Sequence, residues 1–142
     1  MRVIIEGTDG CGKTTTIESL KKIFPKIDFS DRDHGTICKY MLKDVDMDTR
    51  IKAYNAFLKT NDVKVMFLIN NDGKELLRRI KTRNKPISDF DLEAPFYNTM
   101  YRDTYVTMDV NHLTEGKMFM VDVTGLNMEE QVAKVKEVIE TF

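Results

Sequence analysis

The eight residues from Gly7 to Thr14 constrain the fold of this chain more than any other part of its sequence. They read G-x-x-x-x-G-K-T and follow Val3-Ile4-Ile5, a short β-branched run with the character of a buried parallel strand. A helix is predicted from Lys13 to Phe24, because apolar side chains recur there at helical spacing. Strand, loop and helix in this order are the context in which the motif binds nucleotide phosphates.

The residues of this loop have separate predicted tasks. Its glycines let the backbone curl so that successive N–H groups point at phosphate oxygens, at the positive end of the following helix. Lys13 is predicted to reach the β and γ phosphates, and the Thr14 hydroxyl to bind Mg²⁺. We therefore expect ATP and Mg²⁺ as cofactors, with an ATP-binding set of Gly7, Asp9, Gly10, Cys11, Gly12, Lys13, Thr14 and Thr15. The alternative is a glycine-rich turn that binds nothing.

Cys11 and Cys38 are the two cysteines of the chain, too few for a disulfide framework. We expect Cys11 to face solvent in the loop, as a site of oxidation and not as a nucleophile. A reducing cytoplasm is the compartment that this cysteine content favours.

Strands and helices alternate along the rest of the chain. Strands are predicted at Val3–Ile5, Ile27–Phe29, Val63–Ile69 and Met118–Val123, and helices at Lys13–Phe24, Thr36–Leu42, Asp48–Lys59, up to Thr82, Tyr97–Met108 and from Asn127 onward. The segment from Pro86 to Pro95 is predicted to be a loop. This alternation predicts an α/β fold of the P-loop NTPase type, with a parallel four-stranded sheet and helices on both faces. A chain of 142 residues is expected to form a single domain over residues 1–142.

Composition excludes several other classes of protein. The net charge is −1, from 22 basic and 23 acidic residues, which argues against a basic coat for nucleic acid. No apolar run approaches the roughly 18 residues that a membrane span needs, and the first residues do not resemble a signal peptide. A cytoplasmic protein without a membrane segment is therefore expected.

The loop alone does not identify the acceptor of the phosphoryl group. A GTPase would carry an Asn-Lys-x-Asp-like motif for guanine, and the nearest stretch, Asn84-Lys85-Pro86, lacks the Asp. A motor or transport ATPase usually has an apolar strand that ends in Asp, whereas the strongest strand here ends in Asn70 and Asn71. A carboxylate near the phosphates must therefore come from another part of the chain. A small-molecule kinase fits this short chain better than a motor or transport ATPase does.

A basic segment runs from Lys74 to Lys85, where six of the twelve residues are Lys or Arg. Arg78 and Arg79 are adjacent, so they leave a helix about 100° apart and cannot both face one site. Arg79 and Arg83 share a face and are predicted to close over the transferring phosphoryl group. The alternatives are a solvated helix face and a track for nucleic-acid phosphates.

The stretch from Ile5 to Thr15 resembles the E-G-x-D-G-x-G-K-[ST]-T motif of the thymidylate kinase-like family of nucleoside and nucleotide kinases. In that family the Asp of the motif contacts the acceptor sugar, which implies that Asp9 lies near a 3′-hydroxyl. The run from Leu77 to Arg83 is similar to the arginine-containing lid of the family. The segments Arg102–Tyr105 and Val121–Gly125 also fit the family pattern, the second as the loop on the adenine side.

A further resemblance covers Asp31 to Thr36, with Tyr40 beyond, which is similar to the family's Asp-Arg-x-x-x-Ser-x-x-x-Tyr segment. It implies that Asp31 is the base or a ligand of Mg²⁺ and its water, and that Arg32 holds the acceptor phosphate. Asp33 is a rival for the first role, and a turn-capping Asp is the structural alternative. An Asp and an Arg here suit hydrogen bonding to an acceptor hydroxyl and bidentate phosphate binding.

The chain departs from the family between the phosphate loop and Arg32. Members usually have another strand there and an Arg-Glu-Pro-Gly-Gly-like loop for the acceptor phosphate. A second alignment makes Arg32-Asp33-His34-Gly35-Thr36 that loop, and then the Asp-Arg segment is the element that is missing. Kinases trimmed in this way resemble those of bacteriophages, whose compartment would be the host cytoplasm.

The resemblance implies an Mg²⁺-ATP-dependent kinase that acts on a deoxynucleoside monophosphate, dTMP-like, with Lys13, Asp31, Arg32, Arg79 and Arg83 as catalytic residues and Thr14 and Asp31 at the metal. A kinase for a hydroxyl on DNA or on a modified base in DNA stays open, as does a nucleoside kinase. A nucleotide-binding protein without catalysis, contact with nucleic acid through Lys74–Lys85 and a homodimer also stay open.

Four aromatic residues near the predicted lid have two interpretations. Phe90, Phe96, Tyr97 and Tyr101 could stack on a nucleobase, or they could belong to the core, as aromatic residues at helical spacing usually do. Glu6 at the end of the first strand is likewise either a partner of Mg²⁺-bound water or a structural carboxylate.

Overall fold

A computed structural model of the protein describes residues 1–8, 10–31, 45–83 and 85–142, with the side chain of Phe90 outside the description. Its described strands form one four-stranded sheet in the order β2-β1-β3-β4, and every pair is parallel. The strands are β1 (Arg2–Glu6), β2 (Asp28–Ser30), β3 (Val63–Ile69) and β4 (Met118–Asp122). All four carboxyl ends therefore lie at one edge of the sheet.

The described helices connect and cover these strands. They are α1 (Lys13–Ile23), α2 (Met47–Thr60), α3 (Gly73–Thr82), α4 (Asp89–Leu92), α5 (Ala94–Val110) and α6 (Met128–Ile139). Side chains cap several of these helices. Asp72 Oδ1 accepts the Glu75 N–H at 3.1 Å before α3, and Asn127 forms a reciprocal capping box with Glu130 at α6.

The core has two layers because successive strand residues point to opposite faces of the sheet. Ile4 and Phe67 face the layer beneath α2 and α5, where the Phe67 ring lies 5.8 Å from Tyr54 and 5.6 Å from Tyr101. The other layer joins strand residues to α1, α3 and α6 through Val3, Ile5, Ile17, Leu20, Met66, Leu68, Leu76, Val121, Val135 and Ile139. The prediction of a parallel sheet with helices on both faces is confirmed.

Most predicted elements agree with the structure to within a few residues, and β3 has its predicted bounds. The predicted loop from Pro86 to Pro95 is wrong in part, since it contains the short helix α4. Ser88 and Asp91 form a capping box there, with Asp91 N–H donating to Ser88 Oγ at 3.2 Å. Helix α5 begins three residues before the predicted Tyr97, because Pro95 suits a first helical turn. The predicted helix Thr36–Leu42 lies outside the described residues.

Over the ranges that the structure describes, no helix is both long and apolar enough to cross a bilayer.

Candidate functional site

A cavity of about 400 Å³ opens where β1 ends and α1 begins. Its walls come from the loop after β1, from α3 and from the first residue of α6. The lining residues are Thr8, Gly10, Gly12, Lys13, Thr14, Thr15, Arg79, Arg83 and Met128. The predicted phosphate loop and the predicted lid pair thus lie around one space, at the edge of the sheet where α/β proteins bind ligands.

The backbone of the loop needs its glycines. Gly10 and Gly12 have φ angles of +81° and +83°, in the left-handed region where a side chain is strained. A Cβ on Gly12 would lie 2.7 Å from Met128 Cε and 2.8 Å from Gln131 Nε2. Helix α6 therefore packs directly against the loop, and only glycine fits between them.

Lys13, Thr14 and Thr15 occupy the first turn of α1, so the open N–H groups of a helix start lie beside them. Lys13 is partly buried, while Thr14 and Thr15 are exposed. An anion in the cavity would meet the lysine, the hydroxyl groups and the positive end of the helix together. This arrangement suits the phosphates of a nucleotide.

Cys11 does not face solvent, and the expectation that it does is wrong. Its side chain is fully buried, in the core layer with Ile17 and Leu68. The loop turns inward at this residue, so that a Cβ on Gly7 would lie only 2.7 Å from Cys11 Sγ. The side chain therefore packs beneath the loop, where oxidants have no direct access.

Arg79 reaches from α3 to two other parts of the structure. Its Nη1 donates to the carbonyl oxygen of Gly10 at 3.5 Å, and its Nη2 donates to that of Leu126 at 3.2 Å. Its Nε donates to Glu75 Oε1 at 3.0 Å. This arginine joins α3 to the phosphate loop and to the segment before α6.

Arg83 is held differently, although it lines the same cavity one turn later. Its Nη2 donates to Asp91 Oδ1 at 2.8 Å. Its Nε is buried without a hydrogen-bond partner among the residues that the structure describes. Asp91 is itself buried in the capping box of α4, so a charged contact fixes one side of the guanidinium and leaves its Nε unsatisfied.

Arg78 points away from the cavity, as the helical geometry predicts for a neighbour of Arg79. Its side chain is 63% exposed and pairs with Glu75 at 2.6 Å. Hydrogen bonds from Arg78 first, and then from Arg79, lower the pKa of the Glu75 carboxyl to about 2. Glu75 therefore stays ionised at neutral pH and orients Arg79 from the side opposite the cavity.

A second cavity, of about 330 Å³, lies between α1 and the end of β2. Its lining residues are Thr14, Ile17, Glu18, Lys21, Phe29, Ser30 and Asp31. Thr14 lines both cavities, so the cavity at the phosphate loop and the cavity at Asp31 adjoin each other at this residue. Asp31 is exposed and directly follows the strand that pairs with β1.

Thr14 and Asp31 are also the predicted metal ligands. A hydroxyl and a carboxylate fit Mg²⁺, because this ion uses few protein ligands and keeps several waters and substrate phosphates around it. Within the described ranges no group of three or more His, Cys, Asp or Glu side chains could hold a metal ion. Mg²⁺ bound by Thr14 and Asp31 would therefore need waters and phosphates as its other ligands.

Several predicted site residues lie outside the described residues: Asp9, Arg32, Asp33, His34, Gly35, Thr36, Tyr40 and Asn84. Of the predicted aromatic set, Tyr97 and Tyr101 belong to the core layer around Phe67 and cannot stack on a base, while Phe96 is half exposed. Glu6 is buried at the end of β1, beside the loop.

Sequence reasoning missed Gln131, which contacts the phosphate loop from α6. Gln131 is fully buried on this helix, whereas its apolar neighbour Val132 is only partly buried. The available signal was an amide residue at helical spacing between Met128 and Val135. Its contact with Cys11, 120 positions earlier in the chain, could not be read from the sequence.

Comparisons with known proteins support the architecture. No protein-family model and no curated protein matches the sequence. Among solved structures, a deoxyadenosine kinase from M. mycoides with bound dCTP is similar over 100% of both chains, with a TM-score of 0.59 and 19% identity. An uncharacterized protein from Eubacterium ventriosum has a TM-score of 0.49 and 12% identity, over 100% of this chain and 99% of that one. The first similarity, together with the parallel sheet, confirms the α/β fold of P-loop NTPases.

Proposed function

We propose that the protein is an ATP-dependent kinase whose acceptor is a deoxynucleoside or its monophosphate. One observation carries this proposal: Lys13 and Thr14 share a cavity with Arg79 and Arg83, while Thr14 also borders the cavity that contains Asp31. Cationic groups around a phosphate loop, with a carboxylate on the other side of that loop, are what phosphoryl transfer between two small molecules requires.

On the donor side, the loop and the start of α1 bind the triphosphate of ATP. Lys13 neutralises charge on the β and γ phosphates, and Thr14 would hold Mg²⁺, which would supply further positive charge against these phosphates. Arg83 is placed to stabilise the charge that spreads over the γ-phosphoryl group as its bond to ADP breaks. Arg79 holds α3 against the loop and so keeps Arg83 in place.

On the acceptor side, Asp31 is the base for a deoxynucleoside. Its carboxylate accepts the proton of the acceptor hydroxyl while that oxygen forms its bond to the γ-phosphorus atom. With a monophosphate the attacking atom is a phosphate oxygen, which is mostly ionised at neutral pH, and Asp31 would instead bind Mg²⁺ and its water. The bond between the γ-phosphorus and the bridging oxygen breaks, and ADP leaves with the bonding electrons. An exposed carboxylate beside the phosphate loop suits this role, because catalysis here rests mainly on positioning and charge neutralisation.

The class of acceptor follows from two observations of different kinds. The fold is similar to that of a deoxyadenosine kinase, which favours a deoxynucleoside acceptor. The E-G-x-D-G-x-G-K-T-T loop favours a monophosphate acceptor such as dTMP. Lys21, which lines the Asp31 cavity, would supply a positive charge for the phosphate of such an acceptor.

A hydroxyl on DNA is a second candidate acceptor, and the surface of α3 favours it. Lys74, Arg78, Lys81 and, beyond the helix, Lys85 are exposed, whereas Arg79 and Arg83 face the cavity. An exposed basic face of this kind binds nucleic-acid phosphates, with an affinity that falls as salt is added.

The test is transfer of labelled γ-phosphate from ATP to four groups of acceptors: the deoxynucleosides, their monophosphates, thymidine with dTMP as a matched pair, and a DNA duplex. We expect label on a deoxynucleoside or its monophosphate, no label with Lys13→Ala, and full activity with Lys22→Ala, an exposed residue of the same helix. Label on DNA alone would replace the acceptor assignment. ATP binding without transfer to any acceptor would refute the kinase proposal.

A further inference from the structure

Gln131 connects the C-terminal helix α6 to the phosphate loop. Its side chain is fully buried. Its Nε2 donates to the carbonyl oxygen of Cys11 at 2.8 Å and to Thr16 Oγ1 at 3.0 Å. One amide group thus holds both the loop and the first part of α1, from an element more than a hundred residues away in sequence.

We propose that Gln131 is a positioning residue that sets the orientation of the peptide between Cys11 and Gly12, and through it the affinity for the donor triphosphate. The inference rests on the proposed function, since it assigns the cavity to the phosphates of ATP. In a trans peptide the C=O and N–H groups point in opposite directions. Because the Cys11 carbonyl is tied to α6, the N–H of Gly12 points away from α6, on the side of the cavity that Gly12 lines.

The contacts of neighbouring residues leave this peptide no alternative orientation. Gly12 is in the left-handed region, and a Cβ on it would meet both Met128 and Gln131. The Thr16 hydroxyl, which accepts from Gln131, lies 3.6 Å from Met128 Sδ. Loop, first turn and α6 are therefore packed as one unit, and a rotated peptide has no room in it.

The cost of burying this residue also indicates a role beyond packing. Gln131 Oε1 is buried with no hydrogen-bond partner among the residues that the structure describes. An unpaired buried acceptor destabilises a protein, whereas an apolar side chain of the same shape avoids that penalty. Met or Leu at this position would avoid that penalty but could not bind the Cys11 carbonyl, so the contact with the loop is what the amide contributes.

This reasoning predicts that stability and donor affinity separate in Gln131→Met. The variant roughly keeps the volume of the side chain and removes its hydrogen bonds. It eliminates the unpaired Oε1 but also takes the Gln131 donor away from the buried carbonyl of Cys11, and because these effects oppose each other we expect a melting temperature close to that of the wild type. We expect the Kd for a fluorescent ATP analogue and the KM for ATP to rise about tenfold, as for other residues that orient a binding group. The KM for the acceptor should stay as in the wild type.

Three matched variants decide between positioning and packing. Val135→Ala creates a defect one turn along α6 without touching the loop, and should lower the melting temperature while leaving the Kd for the analogue unchanged. Thr16→Ser keeps the hydroxyl and should bind the analogue with the wild-type Kd. Thr16→Val removes the hydroxyl that orients the amide, so its Kd for the analogue should rise, as it should in Gln131→Met.

The outcomes separate this inference from the proposed function. Wild-type affinity for the analogue in Gln131→Met would overturn the inference, as would a loss of affinity that Val135→Ala reproduces. If the wild type binds the analogue but transfers no phosphate, the kinase proposal fails while the binding data still decide the role of Gln131. If the wild type binds no nucleotide at all, both are refuted.

Discussion

The two cavities that meet at Thr14 are built in different ways. The cavity around Lys13 is held by hydrogen bonds between distant parts of the chain, from Arg79 on α3 and from Gln131 on α6 to the phosphate loop. The described wall of the cavity around Asp31 comes from α1 and β2 alone, which are consecutive elements. The proposed donor side is thus determined by tertiary contacts, whereas the part of the proposed acceptor side that the structure describes comes from consecutive elements.

This difference indicates where the two kinds of specificity lie. A donor common to many kinases can be bound by a rigid loop that several elements hold, because its geometry does not need to vary. An acceptor differs from kinase to kinase, and a wall built from consecutive elements, as the described wall of the Asp31 cavity is, can change while the distant elements stay in place. Variants on the two sides should therefore affect different kinetic constants.

The largest effect is expected from Lys13→Ala. Loss of the charge at the β and γ phosphates should lower kcat/KM for ATP by about 10²–10³-fold, as the removal of one strong electrostatic contact in an active site does. Initial rates at varied ATP would measure it, with Lys22→Ala as the control on the same helix. A similar loss in Lys22→Ala would show that the effect comes from the helix and not from the cavity.

Asp31→Asn should act on the other side. The amide keeps the shape of the carboxylate but cannot take up a proton, so we expect kcat to fall by about 10²-fold while the KM for ATP stays unchanged. Single-turnover rates together with binding of the ATP analogue would separate the two constants. Weaker ATP binding in Asp31→Asn would contradict the assignment of donor and acceptor to separate cavities. An unchanged kcat would show that another carboxylate is the base.

Arg78 and Arg79 of α3, with Arg83 directly after its end, sharpen the comparison within one segment. Arg83→Gln should lower kcat by about tenfold through the lost charge at the transferring group. Arg79→Gln should mainly raise the KM for ATP, because Arg79 touches the loop carbonyl of Gly10 and not a reacting atom in this arrangement. Arg78→Gln should change neither constant, since an exposed ion pair contributes little.

The kinetics of these three variants can be measured side by side, with melting temperatures as a check on folding. If Arg79→Gln lowers kcat and leaves the KM for ATP unchanged, Arg79 contacts the transferring group directly. The two arginines would then form the pair that their shared helix face predicts.

The strand, loop and helix around Lys13 could be predicted from sequence because the motif is contiguous and combines backbone conformation, charge and a helix start in eight residues. The other strand and helix predictions succeeded for the same reason, since β-branched runs and apolar spacing are local. What joins Arg79 to the loop, or Gln131 to Cys11, is a contact between elements far apart in sequence, and no local pattern encodes it.

The burial of Cys11 is an error of the sequence analysis. A loop position was taken to be exposed, yet the Cys11 side chain is fully buried in the core layer with Ile17 and Leu68. For the aromatic residues beside the predicted lid the analysis left two interpretations open, and Tyr97 and Tyr101 belong to the core beneath α2 and α5. In each case the tertiary fold decides which face of an element is buried.

The smallest expected effect is that of pH on the stability of the protein, through the carboxyl of Glu75, which accepts a hydrogen bond from Arg79. The pKa of its carboxyl is lowered from 4.5 to about 2 by hydrogen bonds from Arg78 and Arg79. A group whose pKa is lower in the folded protein stabilises it fully above the unfolded value, and this stabilisation disappears as pH falls through the folded value. The contribution of Glu75 should therefore be constant above a pH near 4.5 and disappear between there and a pH near 2.

The measurement is the difference in melting temperature between the wild type and Glu75→Gln at a series of pH values. We expect a small positive difference near neutrality, because solvent screens both exposed partners, and convergence of the two proteins in acid. A difference that persists to the lowest pH would show that Glu75 acts through its shape. Since Glu75 also orients Arg79, the KM for ATP of Glu75→Gln should rise slightly at neutral pH, and an unchanged acceptor KM would place this effect on the donor side alone.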